Sequence, residues 1–141
     1  MVLGIRPDVI RASIMIKELK SKLGADFEFI WSGQHYSDNM RDVFFRQLDV
    51  PRPDVILDLE KDSDANMIGS LIGKLGVHLE SSRPDAVVFL GDTNTVLGAI
   101  AAASLGIPIV HIEGCMRSYD WRMPEEKYRS TIDHLSDVIY A

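Results

Sequence analysis

The sequence has a single cysteine, so no disulfide can close within it, and Cys115 alone cannot build a thiolate metal site. That usage suits a reducing compartment, and a cytoplasmic location is the expectation. Long apolar runs are also lacking. The longest, from Ala99 to Leu105, is interrupted by Ser104 and falls far short of the roughly 20 residues of a membrane-spanning helix. Arg6 and Asp8 break the opening segment before the apolar core of a signal peptide can form. Nor is there an excess of positive charge: 15 Lys and Arg face 21 Asp and Glu, for a net charge of −6. This counts against nucleic acid and anionic membrane as partners, because their phosphates are held by clustered cations. A few arginines can still reverse the field inside one cleft. The four histidines, His35, His78, His111 and His134, show no ligand spacing, so no metal is expected. Neither Gly-x-Gly-x-x-Gly nor a Walker A sequence occurs, which removes those two phosphate loops. Arg-Pro, and not a pair of acids, follows the first strand, which argues against a phosphoreceiver.

What is present is a chain of 141 residues, 46% hydrophobic and 26% charged, long enough for one domain over residues 1–141 with a real core. Strand-length apolar stretches alternate with helical patterns, the mark of βαβ units around a parallel sheet. The expected strands are Met1 to Leu3, Phe27 to Trp31, Val55 to Leu57, Ala86 to Leu90, Ile107 to Ile112 and Val138 to Tyr140. Several are unbroken apolar runs, as strands covered on both faces should be. The resulting fold class is α/β, a Rossmann-like three-layer domain with a parallel sheet of about six strands. Helices are expected between the strands. Pro7 to Leu23 carries Val9, Ala12, Ile16, Leu19 and Leu23 on one stripe, and Asp64 to Glu80 carries Met67, Leu71, Leu75 and Leu79, with Gly69, Gly73 and Gly76 weakening it. Ser37 to Leu48, Asn94 to Leu105 and Pro124 to Leu135 complete the set. The short first strand and the sixth strand running to Ala141 create the expectation of a further domain in the natural protein.

In an open parallel sheet, ligands bind beyond the carboxyl ends of the strands, and there the polar chemistry collects. Gly4-Ile5-Arg6-Pro7-Asp8 is a glycine turn into a helix start, with Arg6 as a fork-shaped donor for phosphate; the same residues also suit an ordinary turn. Ser32-Gly33-Gln34-His35 offers small residues and neutral hydrogen bonds. Asp92 in Gly91-Asp92-Thr93-Asn94 is either a base or a cap for the next helix. His111, inside a strand, reads as a packed or hydrogen-bonded residue. Glu113, at the end of a buried strand, must find partners. Glu125 and Glu126 sit at a helix start, where acids favour the dipole. Carboxylates gathered on one rim raise one another's pKa, which allows an acid and base pair.

Together these residues resemble the non-hydrolysing UDP-N-acetylglucosamine 2-epimerases over essentially the whole chain. The resemblance rests on Gly4-Ile5-Arg6-Pro7 for Gly-Thr-Arg-Pro, Ser32-Gly33-Gln34-His35 for Thr-Gly-Gln-His, Gly91-Asp92-Thr93, His111-Ile112-Glu113, Met116-Arg117-Ser118 for Leu-Arg-Thr, and Pro124-Glu125-Glu126 with Arg129. The stretch from Arg117 to Pro124 also resembles the branch that inverts C2 of other UDP-2-acetamido sugars, including the one that makes UDP-N-acetyl-L-fucosamine. Three positions depart from the pattern: Gly114-Cys115 for Ala-Gly, Arg11 for lysine, and Tyr128 for asparagine.

The resemblance implies the N-terminal half of a GT-B arrangement, with UDP held largely by a C-terminal domain that this sequence does not contain. It implies catalytic roles for Asp92, Glu113 and Glu125, and substrate-binding roles for Arg6, Gln34, His35, Arg117 and Arg129. A UDP-2-acetamido sugar is the implied partner, with no cofactor, and a homodimer is compatible with it. The reaction would eliminate UDP as the C2 proton leaves and re-add it after a proton returns to the other face. The alternative is a stand-alone binding half of a split glycosyltransferase-like complex, and a third reading is a structural or interaction module.

Overall fold

The computed structural model describes residues 1–33, 45–60 and 62–141. Six strands form one sheet in the order β3-β2-β1-β4-β5-β6, and every neighbouring pair is parallel. They are β1 (Val2–Leu3), β2 (Ile30–Trp31), β3 (Val55–Ile56), β4 (Val87–Leu90), β5 (Ile109–Ile112) and β6 (Val138–Tyr140). The expected α/β class is therefore the observed one. Period-two alternation splits neighbouring residues between two cores: Val2, Ile30 and Phe89 point to one face, while Leu3, Trp31 and Leu90 point to the other. Burying both faces explains why these strands read as continuous apolar runs.

The strands are shorter than their apolar runs, because pairing depends on the neighbour. Pro108 has no N–H, so β5 begins at Ile109 instead of Ile107. Ahead of β2, the Phe29 N–H goes to the Asp54 carboxylate at 2.9 Å. The Ile109 N–H goes to Asp137 in the same way, at 2.8 Å.

Helix α1 (Arg6–Leu23) begins with Pro in its first turn and buries Val9, Ala12 and Ile16 against the second face. Its stripe ends at Leu19, which is partly buried, whereas Leu23 is exposed. Most of the expected Ser37 to Leu48 helix lies outside the described residues. Residues 45–47 are helical, and Phe45 meets Phe29 and Trp31 edge-on, with ring centroids 6.0 and 5.9 Å away.

Helix α2 (Asp64–Ser82) is capped by Ser63, whose hydroxyl accepts from the Asn66 N–H. It runs its full length despite three glycines, because Leu71, Leu75 and Leu79 are buried on one stripe. At about 1.5–3 kcal/mol per fully buried leucine, that outweighs about 1 kcal/mol per glycine.

The single helix expected over Asn94 to Leu105 is corrected to two pieces, a 3-10 segment Asn94–Gly98 and α3 (Ala99–Ser104). Gly98 packs so closely on α2 and β4 that an added Cβ would lie 2.8 Å from Leu75 Cδ2 and 3.2 Å from Phe89. The segment tightens to fit that space. Helix α4 (Pro124–Leu135) has the expected bounds and seats Ile132 in the first core. Among the described residues, no helix is long and apolar enough to cross a membrane.

Candidate functional site

Strand order reverses direction at β1, which lies between β2 and β4, so the loops leaving β1 and β4 diverge and open a crevice. A cavity of about 470 Å³ occupies this place, lined by Gly4, Arg6, Ser32, Gly33, Asn94 and Thr95 among others. Gly4 is required by close approach: a Cβ there would overlap the Thr95 hydroxyl. Ser32 and Thr95 share a hydrogen bond of 3.2 Å beneath the opening. Arg6 is half-buried at the mouth, at the start of α1. Gln34 and His35 lie outside the described residues.

Beside the crevice stand two arginine bridges. On one, Arg11 reaches Asp8 at 2.6 Å with one nitrogen and Glu113 with the other. On the second, Arg129 reaches Glu126 at 2.6 Å with one nitrogen and Asp92 with the other. Each arginine lies three residues after an acid on the first turn of its helix, where the two side chains share a face. In both cases the helix acid is buried and the rim acid is half-exposed. Thus α1 holds the carboxylate that follows β5, and α4 holds the carboxylate that follows β4. Glu113 and Asp92 leave adjacent strands in register, Leu90 opposite Ile112.

The two buried acids differ in their surroundings. Glu126 accepts from the backbone N–H groups of Ser118 and Tyr119, the Ser118 hydroxyl and Arg129. Led by the Ser118 N–H, these bonds hold its carboxyl below the usual carboxylate range despite burial. Asp8 accepts from Arg11 at 2.6 Å with one oxygen, and its other oxygen is buried with no hydrogen-bond partner among the described residues. Burial pushes its carboxyl up, against the pull of Arg11.

Glu125 is half-buried on the first turn of α4 and stays outside this network. Arg117 places one guanidinium nitrogen 2.6 Å from Asp133 and another on its neighbour's carbonyl, Met116 O, at 2.7 Å. Its guanidinium thus braces the loop that follows β5. His111 is fully buried and bonded through both ring nitrogens, as its position inside a strand suggests. Glu113 and Cys115 adopt φ of 63° and 64°, the left-handed region that glycine takes freely. Gly114, in turn, is packed too tightly for a side chain: a Cβ would overlap Ile139 and approach Asp133 at 2.9 Å.

A Rossmann-like α/β domain with arginine-held carboxylates at its strand crossover is the class that fold and site define. The family described as UDP-N-acetylglucosamine 2-epimerase matches residues 17–141, and the chain belongs to that family. A UDP-N-acetylglucosamine 2-epimerase of Methanococcus maripaludis is 43% identical over 99% of this chain and 38% of its own length. A UDP-2,3-diacetamido-2,3-dideoxy-D-glucuronate 2-epimerase of Pseudomonas aeruginosa is 36% identical over 99% of this chain and 40% of its own. The crystal structure of Methanocaldococcus jannaschii UDP-GlcNAc 2-epimerase in complex with UDP-GlcNAc and UDP superposes with a TM-score of 0.86 at 38% identity, covering 96% of this chain and 37% of that one. The chain thus spans about two fifths of the length of these relatives.

Proposed function

We propose that this chain supplies the carboxylate wall of a sugar-nucleotide 2-epimerase, the N-terminal half of a GT-B pair, which inverts C2 of a UDP-2-acetamido sugar. The observation that carries the reading is the gathering of Asp92 and Glu113 at the exits of adjacent strands, each pinned by its own arginine, in a chain of this family.

The chemistry requires what this rim offers. A sugar C2 proton is only weakly acidic, so its removal must be coupled to loss of the group on C1. A carboxylate takes the C2 proton, the C1–O bond breaks, and UDP leaves with the bonding electrons. The unsaturated sugar then accepts a proton at C2 from the opposite face as the diphosphate oxygen re-forms the bond to C1. Nothing is oxidised overall and no cofactor is consumed. Asp92, Glu113 and Glu125 are the groups for the two proton transfers. Arg6, beside the crevice at the start of α1, is the cation for the departing diphosphate. Arg129 holds Asp92 toward the ring, and Gln34 and His35 add neutral hydrogen bonds to the substrate. A second domain closes the cleft and holds most of the UDP, so the 141-residue chain alone turns over no substrate.

The test is deuterium incorporation at C2 when the full-length protein is incubated with a UDP-2-acetamido sugar in heavy water. Asp92→Asn, Glu113→Gln and Glu125→Gln should each slow incorporation by about 10²–10⁴-fold, the usual contribution of a general acid or base. Wild-type rates in all three variants would overturn the assignment.

A further inference from the structure

One fully buried ionisable side chain has no part in the chemistry above. The His111 ring, on β5, has Nδ1 2.6 Å from Asp133 Oδ1 and Nε2 2.8 Å from the Gly91 carbonyl. Asp133 lies on the last turns of α4. Its other oxygen accepts the Cys115 N–H at 3.0 Å and the Arg117 guanidinium at 2.6 Å. Both partners of the imidazole are acceptors. The carbonyl of Gly91 has only lone pairs. Asp133 is ionised: burial opposes its charge, but Arg117, His111 and the Cys115 N–H together hold its carboxyl below the usual range.

The position of this ring in the chain is what gives it a role. Gly91 immediately precedes Asp92, and Cys115 lies two residues after Glu113. Glu113 and Cys115 are both in the left-handed region, which side-chain-bearing residues resist unless something outside the loop holds them. Asp133 holds this loop through Cys115 and Arg117, and His111 joins Asp133 to the loop that carries Asp92. Gly114 allows the approach, since a Cβ there would stand 2.9 Å from Asp133 Oδ1 and 3.0 Å from His111 Nδ1.

We infer that His111 is a positioning residue that donates from both ring nitrogens as a buried imidazolium and thereby fixes the separation of the loops bearing Asp92 and Glu113. His111 and the partly exposed Arg117 share the Asp133 carboxylate, and the Gly91 carbonyl accepts from the other side of the ring. His111 touches no substrate. It acts by preventing the two carboxylates from drifting apart, and in this respect the inference rests on the epimerase reading.

Two measurements test it, and only the second depends on that reading. In the 141-residue chain with 15N-labelled histidine, His111 should show a directly bonded proton on each ring nitrogen; a single N–H would overturn the inference. In the full-length protein, His111→Gln keeps a donor near the Nε2 position and His111→Asn keeps one near Nδ1, so each retains one of the two bonds. Both variants should lower kcat for C2 exchange about 10- to 100-fold, as small displacements of reacting groups do, with KM changed by less than about threefold. Loss of kcat only in proportion to the unfolded fraction, or wild-type kcat in both variants, would overturn the positioning role. Absence of exchange in the wild-type protein would sink the epimerase reading, while the nitrogen spectrum would still decide the state of the ring.

Discussion

The two arginine bridges are built to one plan and differ in tightness. Arg129 is 11% exposed, and its buried partner Glu126 has donors on every side. Arg11 is 40% exposed, and its buried partner Asp8 leaves one oxygen unpaired among the described residues. The difference shows how one motif holds a carboxylate through a buried, fully bonded pair on one strand and through a more solvated pair on the next. An ion pair whose buried acid is fully bonded has no second state to relax into. A pair whose acid is short of donors can take up a proton and release its arginine. Asp92 is therefore held by the more buried bridge and Glu113 by the more exposed one.

Cutting the two bridges in parallel gives the largest effects. Arg129→Ala should cost about 2–3 kcal/mol, the upper scale for a hydrogen bond to a charged group, since Glu126 keeps its Ser118 and Tyr119 donors while Asp92 loses its guanidinium. Arg11→Ala should cost about 1 kcal/mol, since Arg11 is partly solvated and Asp8 can be neutralised. Urea denaturation measures both, and equal losses would erase the distinction.

Acid should separate the bridges next. The Glu126 carboxyl is depressed in the folded state, so its contribution is present above the usual carboxylate range and is lost as pH falls through the folded value. The Asp8 carboxyl is raised, so its contribution is present below the usual value and is lost as pH rises through the folded one. The stability gap between wild type and Glu126→Gln should therefore shrink on acidification. That between wild type and Asp8→Asn should shift in favour of wild type. Parallel titrations of thermal midpoints would reveal this, and slopes of the same sign would contradict it.

The smallest effect belongs to the loop on the Arg11 side. Cys115→Gly should stabilise the chain by about 0.5 kcal/mol, the relief of a side chain in the left-handed region less the extra freedom of glycine in the unfolded chain. A destabilisation, read by the same denaturation, would show that the Cys115 side chain contributes packing that outweighs its backbone strain.

Local patterns carried the architecture, because strand and helix periods are written in neighbouring residues. The alternation of elements, the stripe from Val9 to Leu19 and the polar strand exits were all legible. Features decided by distant contacts were not. The break at Gly98 depends on Leu75 and Phe89, and the Phe29 N–H ahead of β2 depends on Asp54, 25 positions away. In the site, Asp92 and Glu113 stood out because each ends an apolar strand. Asp8 and Glu126 carried a readable signal, an acid with an arginine three residues later, but that spacing is common on solvated helices. Asp133 gave no signal: it is an ordinary helix residue until β5 brings His111 against it, 22 positions away.

The bridge from Arg11 to Glu113 spans 102 positions of sequence, and this has a consequence for how the protein is made. During synthesis at about 5–20 residues per second, Arg11 leaves the ribosome many seconds before Glu113 exists. Through that interval Arg11 has Asp8, three residues before it on the same helix, but not Glu113. The rim is completed only after β5 docks against β4 and α4 brings Arg129 to Asp92, and a nascent chain arrested before residue 113 would lack both arginine bridges.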